Sequence, residues 1–206
     1  MSIEQIHVKD VYDLIATEFS DTRYRPWSCV EDFLDKIPPG SKVADIGCGN
    51  GKNMLYKPEL EWKGCDFSKN LVEICETRGL NVIMGDALNI PYNSSNFDYT
   101  ICIAVIHHLS TRDMRLKAVE ELIRITKKGG IVLILVWGLE QPEGSRRQFI
   151  QQDNYVNFCD RDKKVLGKRY YYVFKKGELE SLLPKNVMII KSIHEKGNYG
   201  VIIQKL

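Results

Sequence analysis

Val43-Ala44-Asp45-Ile46-Gly47-Cys48-Gly49-Asn50-Gly51 is the stretch that decides the fold. A short apolar run ends at Ile46 and passes into a turn with glycine at every second position. A strand that enters a glycine-rich turn and then opens a helix lets the backbone approach a bound ligand closely. An acid follows at Asp66, 21 residues beyond Asp45 and at the end of a second expected strand, 62–65. A carboxylate placed there can accept both ribose hydroxyls of an adenosine. A dinucleotide fingerprint would require glycine at 47, 49 and 52, but position 52 is Lys. A phosphate-binding loop would need Gly at 46 and Ser or Thr at 53, but these are Ile and Asn. What remains is acid-x-Gly-x-Gly-x-Gly, a loop under no obligation to cradle a pyrophosphate.

Outward from this unit the chain alternates. Strands are predicted at 42–46, 62–65, 81–84, 99–105 and 131–137, with helices at 68–77 and 112–127 between them. Gly129-Gly130 reads as the close of the helix before the fifth strand. Alternation of this kind implies a parallel sheet with crossover connections. Apolar spacing over 8–19 predicts an N-terminal helix, and a second should follow Pro26 until Pro38-Pro39-Gly40 stops it. The rhythm fails over 141–170, which is polar and without clear period. A short helix at 176–183 and strands at 187–193 and 200–206 complete the pattern, with a hairpin-like turn at Glu195-Lys196-Gly197-Asn198. The expected architecture is a single α/β domain over 1–206. It has a seven-stranded, mostly parallel sheet with helices on both faces and an antiparallel final pair. Residues 1–40 form a helical cap, and 141–185 a basic insertion that would meet substrate.

The 206 residues carry a net charge of only +2, but its distribution is uneven. Residues 141–185 hold ten Lys/Arg against six Asp/Glu, so the basic charge lies outside the presumed cofactor half. Cys29, Cys48, Cys65, Cys75, Cys102 and Cys159 form no Cys-x-x-Cys knuckle. They read as reduced, structural thiols with no metal role, which suits a reducing, cytoplasmic compartment. Neither a signal-peptide core nor an uninterrupted apolar run of membrane-spanning length is present.

The loop at 45–51 resembles motif I of the class I, Rossmann-like methyltransferases, and Gly85-Asp86-Ala87-Leu88 and Asn96-Phe97-Asp98 fall where that class has further motifs. The resemblance implies S-adenosylmethionine as cofactor and S-adenosylhomocysteine as product. It places Asp45 near the methionine end, Asp66 on the ribose and Asp86 beside the adenine amino group. Gly47, Gly49, Asn50, Ala87 and Ala104 would be further cofactor contacts. A narrower likeness runs nearly end to end. It is carried by Thr22-Arg23-Tyr24-Arg25-Pro26-Trp27, Ile103-Ala104-Val105-Ile106-His107-His108, Trp137-Gly138-Leu139-Glu140-Gln141, Ser145-Arg146-Arg147, Gln152-Asp153, Arg169-Tyr170-Tyr171-Tyr172-Val173-Phe174, Gly177-Glu178-Leu179 and Gly197-Asn198-Tyr199. These resemble the eukaryotic tRNA wobble-uridine carboxymethyl methyltransferases, including the methyltransferase domain of the AlkB-homologue tRNA hydroxylases. Two departures stand out: Asn157-Phe158 where that family has Pro-Trp, and Tyr199 where it usually has Trp.

The resemblance implies methyl transfer to the carboxylate of 5-carboxymethyluridine in tRNA, giving a methyl ester, with a small zinc-ribbon activator protein as partner. Residue chemistry is compatible with this. A carboxylate with a reference pKa near about 4 is ionised at neutral pH and needs no general base. An Arg can hold it with two parallel hydrogen bonds. Arg147 is the first candidate, with Arg23 and Arg146 next; His108 and Trp137 would stand at the same rim. Tyr24, Trp27 and Trp137 offer stacking surfaces for an everted base, with Arg25 beside them. Lys163, Lys164, Lys168 and Arg169 would contact phosphates. A small-molecule methyltransferase and a non-catalytic scaffold are the alternatives. The first would not need the late basic segment, and the intact Asp45, Gly47, Gly49 and Asp66 argue against the second.

Overall fold

A computed structural model describes residues 1–145, 147–160 and 162–206. The apolar run ahead of the glycines forms β1 (Lys42–Ile46), which is buried from Val43 onward. It lies between β2 (Glu61–Asp66) and β4 (Phe97–Ile103), parallel to both. β3 (Val82–Met84) is one edge, and β5 (Thr126–Trp137) continues the parallel set beyond β4. The last strands of the sheet are β8 (Val187–Glu195) and β9 (Asn198–Lys205), in the order β3-β2-β1-β4-β5-β9-β8. β9 runs antiparallel to both β5 and β8. The turn between β8 and β9 has positive φ at both Lys196 and Gly197, the primed-turn geometry of a tight hairpin.

Both faces of the sheet are covered, as expected for a parallel sheet. On one side α6 (Arg112–Ile125) buries Ala118, Val119, Leu122, Ile123 and Ile125 against Ile134, Val136 and Val201. Thr111 caps it by accepting from the Met114 N–H, a contact of about 1 kcal/mol. On the other side α3 (Ser28–Leu34) packs Val30, Phe33 and Leu34 on Val43, Ile101 and Leu133. Full burial of each such aliphatic chain contributes about 1.5–3 kcal/mol.

Four sequence expectations need correction. The helix at 8–19 is segmented: a π-helical turn at Gln5–Lys9 leads into α1 (Asp10–Leu14) and α2 (Ala16–Ser20), with a break at Ile15 (φ −100°, ψ 8°). Gly129-Gly130 does not close α6, which ends at Ile125; the pair lies within β5, where the register with β4 shifts. The helix at 176–183 reduces to one 3-10 turn, Glu180–Leu182. Finally, 141–185 is no shapeless insertion. It contains β6 (Asp153–Cys159) and β7 (Val165–Tyr172), an antiparallel pair separate from the main sheet. This hairpin packs Phe158 and Tyr170 against Val11, Tyr12 and Ile15 of the N-terminal helices. Cap and hairpin together roof the carboxyl ends of the strands, where ligands bind in open α/β sheets. Two short helices after β1 and β2, α4 (Lys52–Tyr56) and α5 (Lys69–Thr77), complete the frame.

Candidate active site

The cleft under that roof has two adjoining halves, of about 480 Å³ and 410 Å³, that share Gly47, Phe67, Val105 and His108. The glycine loop is pinned to the end of β2: the Gly47 and Cys48 N–H groups both donate to the Cys65 carbonyl, at 2.8 and 3.1 Å. Asp66 holds the loop from below, with Oδ2 accepting from the Gly49 N–H (2.8 Å) and Oδ1 from the Ser68 N–H (3.0 Å). A carboxylate has about four acceptor positions, so two remain for ribose hydroxyls. At Gly47 (φ +71°) a Cβ would lie 2.3 Å from Val105 Cγ2, so neither chain nor cleft tolerates a side chain there. The first half is apolar, with Phe67, Met84, Leu88, Val105 and Met114 around Asp86 and Ala87, a setting for a flat base. Asp86 Oδ1 accepts from the Leu88 N–H, leaving Oδ2 for an adenine amino group. Ala104 lines the second half with φ +61°, a left-handed conformation rare in residues with a side chain. These residues fit S-adenosylmethionine, with its adenine in the first half and its ribose, at Asp66, and methionine end in the second.

Asp45 is a correction. It is wholly buried under the loop and does not line the cleft; its Oδ2 accepts from Asn53 Nδ2 (3.0 Å) and its Oδ1 has no partner. Asn50 reaches the other way, donating to the Ser20 and Arg23 carbonyls (3.3 and 2.9 Å), and so anchors the segment that carries Arg23. Burial pushes the Asp45 carboxyl up to about 7, against opposing help from Asn53 and Lys52, and the Asp66 carboxyl up to about 6, against its backbone donors.

The sign of the pH dependence follows. An acid whose native pKa lies above its unfolded value binds its proton more tightly in the native state, so its charge costs stability as pH rises through the interval between the two. For these groups the cost grows from the ordinary carboxylate range to about 7. The cofactor's amino group and sulfonium favour the ionised carboxylates. The gain in melting temperature with S-adenosylmethionine is therefore expected to be larger at about pH 8 than at about pH 5.5. Equal gains at the two pH values would contradict it.

The second half is lined by Arg23, Lys52, Arg147 and Arg169 against one carboxylate, Asp66. Trp137 stacks on Tyr171 (4.1 Å between centroids, 2° between planes), and the Arg147 guanidinium lies 4.1 Å from its centroid, necessarily on the opposite face. Both faces being occupied, Trp137 is not a free platform for a base. His108 is not a free base either. Its Nδ1 faces the Tyr170 carbonyl (2.7 Å), which can only accept, so Nδ1 carries the hydrogen and Nε2 accepts from the Tyr12 hydroxyl (3.0 Å). Burial pushes its pKa down to about 3, and the nearby Arg169 adds to this. In His107, Nδ1 accepts from the Trp137 N–H (3.1 Å), so Nε2 is the protonated nitrogen, and no acceptor meets it. Burial holds this ring neutral too.

Of the remaining expected residues, Trp27 lines the cleft, half-buried, with Lys52 Nζ 5.9 Å from its centroid. Tyr24 is 78% exposed, and Arg25 is paired with Glu31 (3.0 Å); both lie outside the cleft. Lys163, Lys164 and Lys168 are exposed on the hairpin. Arg169 departs from the expected phosphate-contacting face: it is 6% exposed and lines the cleft. Arg146 lies outside the described residues. The sequence reading missed Tyr12, Lys52, Phe67 and Tyr171 as cleft residues. Lys52 alone carried a signal, since it directly follows Gly51.

Residues 44–134 match a family described as a methyltransferase domain. A tRNA (carboxymethyluridine(34)-5-O)-methyltransferase of Schizosaccharomyces pombe is 41% identical over 224 residues, spanning 98% of this chain and 97% of that protein. The Xenopus tropicalis tRNA (carboxymethyluridine(34)-5-O)-methyltransferase alkbh8 is 36% identical over 261 residues, spanning all of this chain and 42% of that protein. An Arabidopsis thaliana protein, also named tRNA (carboxymethyluridine(34)-5-O)-methyltransferase, is 48% identical over 143 residues, 69% of this chain and 35% of that one. The chain thus spans less than half the length of the frog and plant relatives. Among solved structures, an S-adenosylmethionine-dependent methyltransferase of Clostridium acetobutylicum superposes with a TM-score of 0.70 at 16% identity, covering 95% of this chain and 96% of that one. A Haloferax volcanii methyltransferase in complex with the Trm112 methyltransferase activator gives a TM-score of 0.66 at 13% identity, covering 96% and 97%. These two likenesses concern the fold.

Proposed function

The chain belongs to the tRNA (carboxymethyluridine(34)-5-O)-methyltransferase family, and from that premise we propose that it esterifies the carboxylate of 5-carboxymethyluridine in tRNA with a methyl group from S-adenosylmethionine. The observation that carries the proposal to this chemistry is the charge in the acceptor half. Arg23, Arg147 and Arg169 pair with no carboxylate among the described residues, and the one carboxylate of the lining, Asp66, is already engaged by two backbone donors. Such a pocket disfavours a cationic cofactor alone and favours the cofactor together with an anionic acceptor. An ionised carboxylate also makes no demand for a base, and both histidines are neutral with their basic nitrogens occupied. When bound, S-adenosylmethionine supplies an electrophilic methyl on sulfur. The protein's contribution is to hold the carboxylate oxygen in line with it and to keep water out.

Nucleoside analysis by mass spectrometry tests this directly. tRNA containing 5-carboxymethyluridine should gain the methyl ester when incubated with protein, cofactor and activator. No ester under any of these conditions would overturn the proposal. In the same assay, replacing Lys163 and Lys164 together by Ala should weaken tRNA binding and reduce its salt slope by roughly 2, with esterification at saturating tRNA preserved.

For the activator we propose the β3 edge, where Ile83 and Met84 are 40% and 45% exposed. An apolar edge strand with free backbone groups is a template for pairing. The Haloferax complex supports an activator for this fold. Co-expression with a zinc-ribbon activator should raise soluble yield, and Ile83→Lys, outside the cleft, should abolish the gain. Ile190→Lys, on the exposed opposite edge, should not, and the reverse outcome would move the interface to β8. We also propose a cytoplasmic setting, a reading supported by six free cysteines. Secretion of a tagged full chain would contradict it. Among the described residues no helix is long and apolar enough to cross a membrane.

A further inference from the structure

Arg169 is the most confined cation of the cleft. It projects from β7, opposite Val156 of β6, and its guanidinium lies among Tyr12, Phe158 and Tyr171 at 5.0–5.7 Å from their ring centroids. Nη1 donates to the Tyr12 hydroxyl at 3.4 Å, Nε is buried with no partner, and Nη2 donates to no described group. A guanidinium cannot shed its charge at neutral pH, and aromatic faces compensate only part of its lost hydration. The Tyr12 oxygen is oriented to receive Nη1 because its own hydrogen goes to His108 Nε2, while His108 is fixed by the Tyr170 carbonyl. The cation is therefore braced by a chain of hydrogen bonds from a strand. Beside it, around Tyr171, stand two more buried donors with no acceptor: His107 Nε2–H and Trp137 Nε1–H. Arg147, by contrast, is exposed at the rim, its guanidinium over Trp137.

We propose that Arg169 is the fixed anchor for the acceptor's carboxylate, taking it through two N–H groups at the donor-lined floor of the cleft, with Arg147 closing over it from the rim. This rests on the proposed function and assigns its specificity for an anionic acceptor to one residue. A braced, planar donor pair sets both the position and the plane of a carboxylate, which a Lys ammonium cannot do.

The test is binding of two tRNAs to the protein and activator saturated with S-adenosylhomocysteine, one carrying 5-carboxymethyluridine and one its uncharged carbamoylmethyl counterpart. Wild type should prefer the anionic tRNA by about tenfold or more, the worth of a charge-assisted contact. Arg169→Lys, which keeps the charge but not the two-pronged contact, should shrink the preference severalfold and lower kcat at saturating tRNA, with affinity for S-adenosylhomocysteine unchanged. Arg169→Gln, shorter but still an N–H donor without charge, serves if the Lys variant melts early, and should lose the preference altogether. Preference and kcat retained in either folded variant, but lost in Arg147→Lys, would place the anchor on the rim and overturn the proposal. A wild type that esterifies no 5-carboxymethyluridine would instead remove the proposed function, and the anchor with it.

Discussion

Asp66→Ala is expected to weaken S-adenosylhomocysteine binding by about 1–3 kcal/mol, roughly fivefold to 150-fold. The carboxylate does two jobs. It accepts the Gly49 and Ser68 N–H groups at 2.8 and 3.0 Å, and so sets the glycine loop against the start of α5. Its remaining lone pairs face the cleft it lines, where ribose hydroxyls would find them. Alanine leaves two buried donors without an acceptor and the ribose without a partner. Asp66→Asn is the sharper control. Its carbonyl can serve one N–H, but its amide must confront the other, donor against donor. It should therefore recover little of the loss. Calorimetric titration checks both variants, with thermal unfolding to confirm that the sheet persists. Unchanged affinity in the alanine variant would mean that the carboxylate organises the loop and never meets the ligand.

The cofactor half was legible in the sequence because backbone demands fix its residue types. Gly47 and Gly49 adopt positive φ, as does Gly51, and Asp66 ends a strand that is buried from Gly64 onward. β1 was placed to the residue and β2 within one residue at each end, since each leads directly into a residue type the site demands, Gly47 after β1 and Asp66 at the end of β2. The acceptor half was not legible in the same way. β6 and β7 are rich in Tyr and Asn, and β6 alternates exposed and half-covered residues, with Phe158 as its one buried side chain. A hairpin that packs on a helical cap instead of the sheet gives no apolar period to detect. Arg169 looked like one of several surface cations because its burial comes from Tyr12 and Phe158, residues distant in sequence and brought together by the fold. Which of His107 and His108 keeps a free N–H depends on the direction of a single 3-10 turn, Ile106–His108, that no spacing encodes.

The residue on which that half depends most is Tyr171. Its side chain is 1% exposed, stacks flat on Trp137 at 4.1 Å and packs against His107 and His108 at 5.0 and 4.5 Å. It is also one of the rings around Arg169, at 5.3 Å. Removing a buried ring of this size leaves a cavity that close-packed neighbours fill only in part, so Tyr171→Ala is expected to cost about 3–5 kcal/mol. For a chain of this length that is a fall of roughly 10 °C in melting temperature. The loss should be more than thermal. Without its stacking partner Trp137 gains rotational freedom, and Arg147 on its other face is no longer held over the cleft. Esterification should therefore fall sharply even at a temperature where the variant is folded. Tyr171→Phe separates ring from hydroxyl. Among the described residues the hydroxyl makes one hydrogen-bond contact, with Tyr12 at 3.5 Å, the outer limit of a hydrogen bond, so its removal should cost at most about 1 kcal/mol and leave the stack intact. Thermal unfolding followed by tryptophan fluorescence, with ester formation measured on the same samples, reads both effects. If Tyr171→Phe lost activity as completely as Tyr171→Ala, the hydroxyl would be taking part in acceptor binding, and the flat stack on Trp137 would not be what holds the floor of the cleft in place.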